Sequence, residues 1–181
     1  MLEVSIALAP PRYDSPVSPA VLAEAAARGI SNLLISHLRA RDASRPANGA
    51  MPHSHYWAAA ADSVTTTPTR KTAHGAEAVV KIAKEGVRLH LYGGEVRPRR
   101  GKKALAIPLV PAVAGMWPSE AADAGNSLVW PKGAKAGWIQ DKTGRHLWLL
   151  VPKVNIAADP RVLPDENAFR RAAEEAAREA L

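Results

Sequence analysis

The sequence predicts an α+β protein, with a small antiparallel sheet packed by a long N-terminal helix and a C-terminal helix, plus extended arms and loops. Three observations carry that expectation. Apolar residues recur at helical spacing from Pro19 to about Asp42. Short apolar runs broken by Gly, Pro and turn residues fill the middle of the chain, and a charged helical pattern closes it after Asp165. No internal repeat of roughly 20–50 residues interrupts this order. The 181 residues therefore divide into an arm over 1–18 and one α+β domain over 19–181, with 43–75 and 97–103 as loops.

Residues 1–18 hold three of the fifteen prolines and read as an extended arm with a short strand at Leu2–Ala9. Ser18-Pro19 then supplies an N-cap and a proline at the first helical position. Leu22, Ala26, Ile30, Leu33, Leu34 and Leu38 form the apolar stripe of the helix that follows. Gly29 is a flaw in it, worth about 1 kcal/mol against alanine unless a neighbour packs there. Residues 43–55 are a loop by composition, and Tyr56–Ser63 is a short helix. Thr65-Thr66-Thr67-Pro68-Thr69 is a breaker.

Ala76–Ala83 reads as a strand, with Val80 and Ile82 on one face and Val79 and Lys81 on the other. Gly86–Tyr92 is ambiguous between helix and strand: Val87, Leu89 and Leu91 alternate with Arg88 and His90 as in a strand. After Gly93-Gly94, Glu95–Arg97 and Ala104–Val110 are strands flanking a basic tip, and Pro108 marks an edge or a bulge. Residues 111–125 are small and irregular, and Leu128–Trp130 is a short strand. Gly137–Gln140 and Arg145–Val151, joined by Asp141-Lys142-Thr143-Gly144, form a hairpin. Leu147–Val151 is too continuous for a half-wet strand and needs cover on both faces, from a helix or another subunit. Asp165 caps a last helix, Glu166–Leu181. Its (i, i+4) pairs are Arg170 with Glu174, Arg171 with Glu175 and Glu174 with Arg178. Its narrow stripe is Phe169, Ala172, Ala173, Ala176 and Ala180, suited to close approach on the sheet or a neighbouring chain.

Composition excludes several function classes. There are no cysteines, so disulfide scaffolds, thiol nucleophiles and thiolate metal sites are out. With one phenylalanine, the five tryptophans must supply most of the aromatic packing. No apolar run reaches the roughly 18–20 residues of a membrane span. Met1-Leu2-Glu3-Val4 lacks the basic start of a secretory signal, so the expectation is a soluble protein of a reducing cytosol. The net charge of +7 is concentrated in residues 63–110, where ten basic side chains face three acidic ones. Its densest part is Arg97, Arg99, Arg100, Lys102 and Lys103. This segment is either a solvated tip kept unpaired by its charge or a contact for phosphates or an acidic protein. No aromatic residue interrupts the run, so base stacking is not indicated and any nucleic-acid contact would be to the backbone.

A search for chemistry leaves little. His53 and His55 sit two apart in a proline-flanked loop, with His74 as the other member of the cluster, but no carboxylate lies within six residues of the pair. A polar loop explains them better than a metal site. His37 and His90 read as packed or surface residues. No nucleophile elbow, P-loop or dinucleotide fingerprint is present. Asp123, Asp141 and Asp159 stand in turn settings where aspartate bonds locally. The expectation is no catalytic residue, no cofactor and no metal, hence no enzyme.

The order of segments carries a resemblance. His90-Leu91-Tyr92-Gly93-Gly94-Glu95-Val96-Arg97-Pro98, the basic stretch, and Lys103-Ala104-Leu105-Ala106-Ile107-Pro108 resemble the virion-morphogenesis proteins of Mu-like phages and prophages. These are related to the tail-completion or neck proteins of long-tailed phages. Leu147–Val151, then Asp159-Pro160-Arg161-Val162-Leu163-Pro164 and the charged last helix, extend the resemblance over about residues 75–181. Tyr92-Gly93-Gly94 through Ile107-Pro108 is its most specific part, and the N-terminal helix matches in type only. The resemblance implies a non-enzymatic virion subunit that completes the tail and joins it to the head within an oligomeric ring, commonly a hexamer. The implied partners are sister copies, a head–tail connector or stopper, a tail tube or terminator protein, and genome DNA in the lumen, with no membrane. The implied location is the virion neck or tail, and the host cytoplasm during assembly. The alternative is a small basic DNA-binding module that contacts phosphates non-specifically through the 97–103 cations.

Overall fold

The computed structural model describes residues 2–8, 17–44, 55–73, 75–99, 101–113, 116–123 and 125–181. The arm after Leu8, most of the 43–55 loop, His53, His74 and Arg100 lie outside these residues. The architecture is α+β, and its strands sort into three antiparallel sheets. The chain gathers into two compact units. One combines Met1–Arg45, His55–Tyr92 and Ala158–Leu181, and the other is built on Gly93–Ala157.

In the first unit, α1 (Pro19–Ala43) starts where Ser18 accepts a hydrogen bond from the Val21 N–H, with Pro19 in its first turn. Its buried stripe is Ala23, Ala26, Ala27, Ile30, Leu34 and Leu38. That stripe packs on β4 (Gly75–Ile82), whose alternation buries Ala76, Ala78, Val80 and Ile82 on one face. β1 (Leu2–Leu8) lies antiparallel along one side of β4, from Leu2 opposite Ile82 to Leu8 opposite Ala76. On the other side run β2 (Val64–Thr66) and β3 (Arg70–Thr72). The threonine run is thus not a simple break. β-Branched residues suit a strand, β4 offers its open side, and only 67–69 around Pro68 interrupt the pairing.

α2 (Tyr56–Asp62) buries Trp57, Ala60 and Ala61 against the same core. Gly86–Tyr92, ambiguous from its alternation, resolves as a helical turn, α3 (Val87–Tyr92), whose one buried side chain is Val87. Helical spacing puts Val87 and Leu91, four apart, on the core side together, which strand alternation of single residues does not require. The last helix, α5 (Glu166–Glu179), is capped by Asp165, which accepts from the Ala168 N–H at 2.8 Å. It closes Glu166–Arg170 at 3.5 Å rather than the three pairs expected farther along. Its alanine stripe docks on α1. A Cβ built on Gly29 would fall 2.4 Å from the Ala172 carbonyl oxygen and 2.7 Å from the Ala176 Cβ. The glycine is the notch that lets the two helices approach.

In the second unit, β5 (Gly94–Val96) and β6 (Leu105–Pro108) flank the basic tip but do not pair with each other. β5 pairs with β10 (Val154–Ile156), and β6 joins a four-stranded sheet in the order β6-β9-β8-β7. There β7 is Ser127–Val129, β8 Gly137–Gln140 and β9 His146–Val151. Pro108 sits on an edge strand, as its missing N–H requires. The stretch 111–125 is not wholly irregular: Pro111–Val113 is a 3-10 turn and α4 spans Pro118–Asp123. The β8–β9 turn is held by Asp141, whose carboxylate accepts from the Thr143 N–H at 2.8 Å, its hydroxyl at 2.6 Å and the Arg145 N–H at 3.0 Å. β9 lies between two strands, and Leu147, Trp148 and Leu150 are buried with Val110, Val113 and Ile139. A central position with cover from the turn segment accounts for its unbroken apolar run.

Candidate interaction surface

Of the cations singled out in the sequence, Arg97, Arg99, Lys102 and Lys103 sit on a tight, exposed turn of the second unit. The Lys102 N–H donates to the Arg99 carbonyl at 3.0 Å, and Gly101 takes a left-handed conformation, φ +86°, that favours glycine. Arg97 pairs with Glu95, and Lys153 reaches the other oxygen of that carboxylate at 2.5 Å. Lys153 and Arg97 hold the Glu95 carboxyl below its ordinary range. Arg97, Arg99, Lys102 and Lys103 are all exposed.

The fold adds an aromatic partner that chain order hides. The Lys102 ammonium lies 4.8 Å from the centre of the Trp117 ring, and Trp117 is 62% exposed. The Trp117 N–H donates to the Glu120 carboxylate at 2.7 Å, which ties the tryptophan to the start of α4. The tryptophans therefore split. Trp57 and Trp148 are buried, but Trp117 and Trp130 are wet. Leu109, Met116 and Leu128 of the same unit are also exposed. Only the mixture of cations and tryptophans within Gly93–Ala157 hinted at this, because exposure is decided by which strand lies at an edge.

The first unit holds a polar cluster where α1 ends. Arg41 donates to Asp159 at 2.5 Å and to the Arg161 carbonyl at 3.1 Å, and its guanidinium stands 4.8 Å from the centre of the Trp57 ring. His37 Nε2 lies 3.0 Å from the same Arg161 carbonyl. The Arg41 bond, then the Arg161 side chain and N–H, lower the Asp159 carboxyl to about 2. His90 packs its ring on Tyr56 and Trp57. Asp42 caps α2 through the Trp57 N–H at 3.1 Å and lies 3.2 Å from His55 Nδ1. Burial pulls its carboxyl upward, and the His55 and backbone bonds outweigh that and leave it lowered. These bonds join the chain segments on either side and leave one buried polar atom, Arg41 Nε, without a hydrogen-bond partner among the described residues. The cluster is an anchor, with no nucleophile poised beside a base.

An open groove of about 450 Å³ runs along α1 and α5, lined by Arg28, Asn32, Glu175, Glu179 and small residues. Among the described residues no group of three or more His, Asp or Glu gathers as a metal site would. Also among them, no helix is long and apolar enough to cross a membrane. No family model, curated protein or solved structure matches this chain.

Proposed function

We propose that this chain is a structural subunit of a phage neck or tail end, completing the tail and joining it to the head as part of an oligomeric ring. The observation that carries the reading is the wet apolar set of the second unit: Leu109, Met116 and Leu128 are all at least 38% exposed. Large apolar side chains gathered in one small unit mark a surface that another chain covers. Among the described residues β6 and β7 are the edge strands of their sheet, a placement that suits pairing with a neighbouring strand. Head-to-tail contacts of this kind close into a ring when their rotation closes. The resemblance over Tyr92–Pro108 points the same way. Such a subunit acts by shape, with sister copies, a connector or stopper and a tail tube or terminator protein as partners. Its place is the virion neck.

The test is assembly. Purified protein mixed with tails that lack it is followed by light scattering and negative-stain imaging. The expected outcome is a collar on the tail end and restored joining to filled heads. A protein that stays a single copy, never associates with tails and turns over a substrate instead would overturn the reading.

A further inference from the structure

We propose that the Gly93–Ala157 unit also binds single-stranded nucleic acid, holding phosphates on the Lys102 and Lys103 cations and stacking a base on Trp117. The inference does not rest on the ring. It starts from charge. Gly93–Ala157 holds ten lysines and arginines against four acids, so it carries +6 of the chain's +7. Three of those acids are engaged locally. Glu95 is held by Arg97 and Lys153, Glu120 accepts the Trp117 N–H, and Asp141 closes its own hairpin turn. A surface with its acids so engaged and its lysines exposed attracts a polyanion.

Aromatic placement then selects the kind of polyanion. Trp117 is well exposed, with the Lys102 ammonium over its ring. The pattern recurs in the turn after β7. Trp130 is 43% exposed, its Nε1–H donates to the Ala134 carbonyl at 3.2 Å, and Lys132 and Lys135 are exposed in that same turn. A duplex keeps its base faces stacked on one another and offers an exposed indole nothing but backbone. A single strand offers both phosphates for the lysines and free base faces for the rings. A polyacidic peptide offers charge but no such faces.

The experiment titrates full-length protein against a fluorescent oligothymidylate of about 20 nucleotides, a duplex of the same length, heparin and polyglutamate, at about 50 mM salt and above. The expected result is tightest binding to the single strand, weakening steeply with salt. Trp117→Ala should weaken single-strand binding roughly 5- to 150-fold, leave heparin binding unchanged, and be rescued by Trp117→Phe. Because Trp117 is exposed, melting of the variant should match that of the parent, and K102Q/K103Q should weaken every polyanion together. Four results would overturn the proposal: no single-strand binding at low salt, duplex preferred, polyglutamate bound as tightly as the oligonucleotide, or Trp117→Ala without effect on the single strand.

Discussion

Replacing Gly29 with alanine separates two forces that point in opposite directions. On helix propensity alone, an alanine inside α1 stabilises by about 1 kcal/mol over glycine. In the fold, its Cβ would stand 2.4 Å from the Ala172 carbonyl oxygen and 2.7 Å from the Ala176 Cβ. Both distances are shorter than side chains tolerate, and one partner is backbone, so α5 must move as a body. Overpacking costs about 1–3 kcal/mol, and two such contacts place this site near the upper figure. The net expectation is a loss of about 2 kcal/mol. For a chain of this size that lowers Tm by roughly 4–8 °C. Far-UV circular dichroism on heating and in urea reads it directly. The double variant G29A/A176G tests the cause, since removing the Ala176 methyl should give back part of the loss, making the pair non-additive. If G29A raises Tm by a few degrees, as propensity demands, α1 and α5 do not meet there and the docking described above is wrong.

Acid should loosen the Arg41–Asp159–Arg161 anchor. The Asp159 carboxyl is lowered from 3.8 to about 2, so its contribution is fully present above about pH 4 and is lost as pH falls toward 2. Urea midpoints of the parent and Asp159→Asn should differ at neutral pH and converge below about pH 2; a gap that does not change across that window would refute the assignment. Trp148, 1% exposed at the centre of the second unit's core, should cost about 3–5 kcal/mol when replaced by alanine, read as a lower urea midpoint by near-UV dichroism. Gly144 closes the β8–β9 turn at φ +86°, and Gly144→Ala should cost about 1–2 kcal/mol with no change in contacts; Gly133→Ala, at φ +80° and equally open, should behave alike.

Much of the fold was legible because its signals are local. Ser18-Pro19 and Asp165 mark helix starts through bonds made within three residues. The Asp141–Gly144 turn declares the hairpin, and Pro108 declares an edge, each for reasons contained in a few residues of chain. The alternation over 76–83 separated the two faces of β4, and Val80 and Ile82 lie on the buried one. What was not legible is partner choice. β5 and β6 flank one tip yet pair with β10 and β9, each far along the chain. The threonine run becomes strand only because β4 has an open side. The candidate surface follows the same divide. Sequence named Arg97, Arg99, Arg100, Lys102 and Lys103, and the four of these among the described residues are exposed, but nothing in the run pointed to Trp117 because no aromatic lies within it.

By itself, the amino-acid order determined the α+β class, the positions of α1, α2, α5 and the β8–β9 turn, and the charge imbalance of the middle of the chain. Those depend on side chains acting on their own stretch of backbone. Only the tertiary structure decided that Gly29 is a docking notch and not a flaw, that Lys102 stands beside Trp117, and that two tryptophans stay in water. Contacts between residues far apart in sequence depend on which surfaces bury one another, and no window of neighbouring residues encodes that choice.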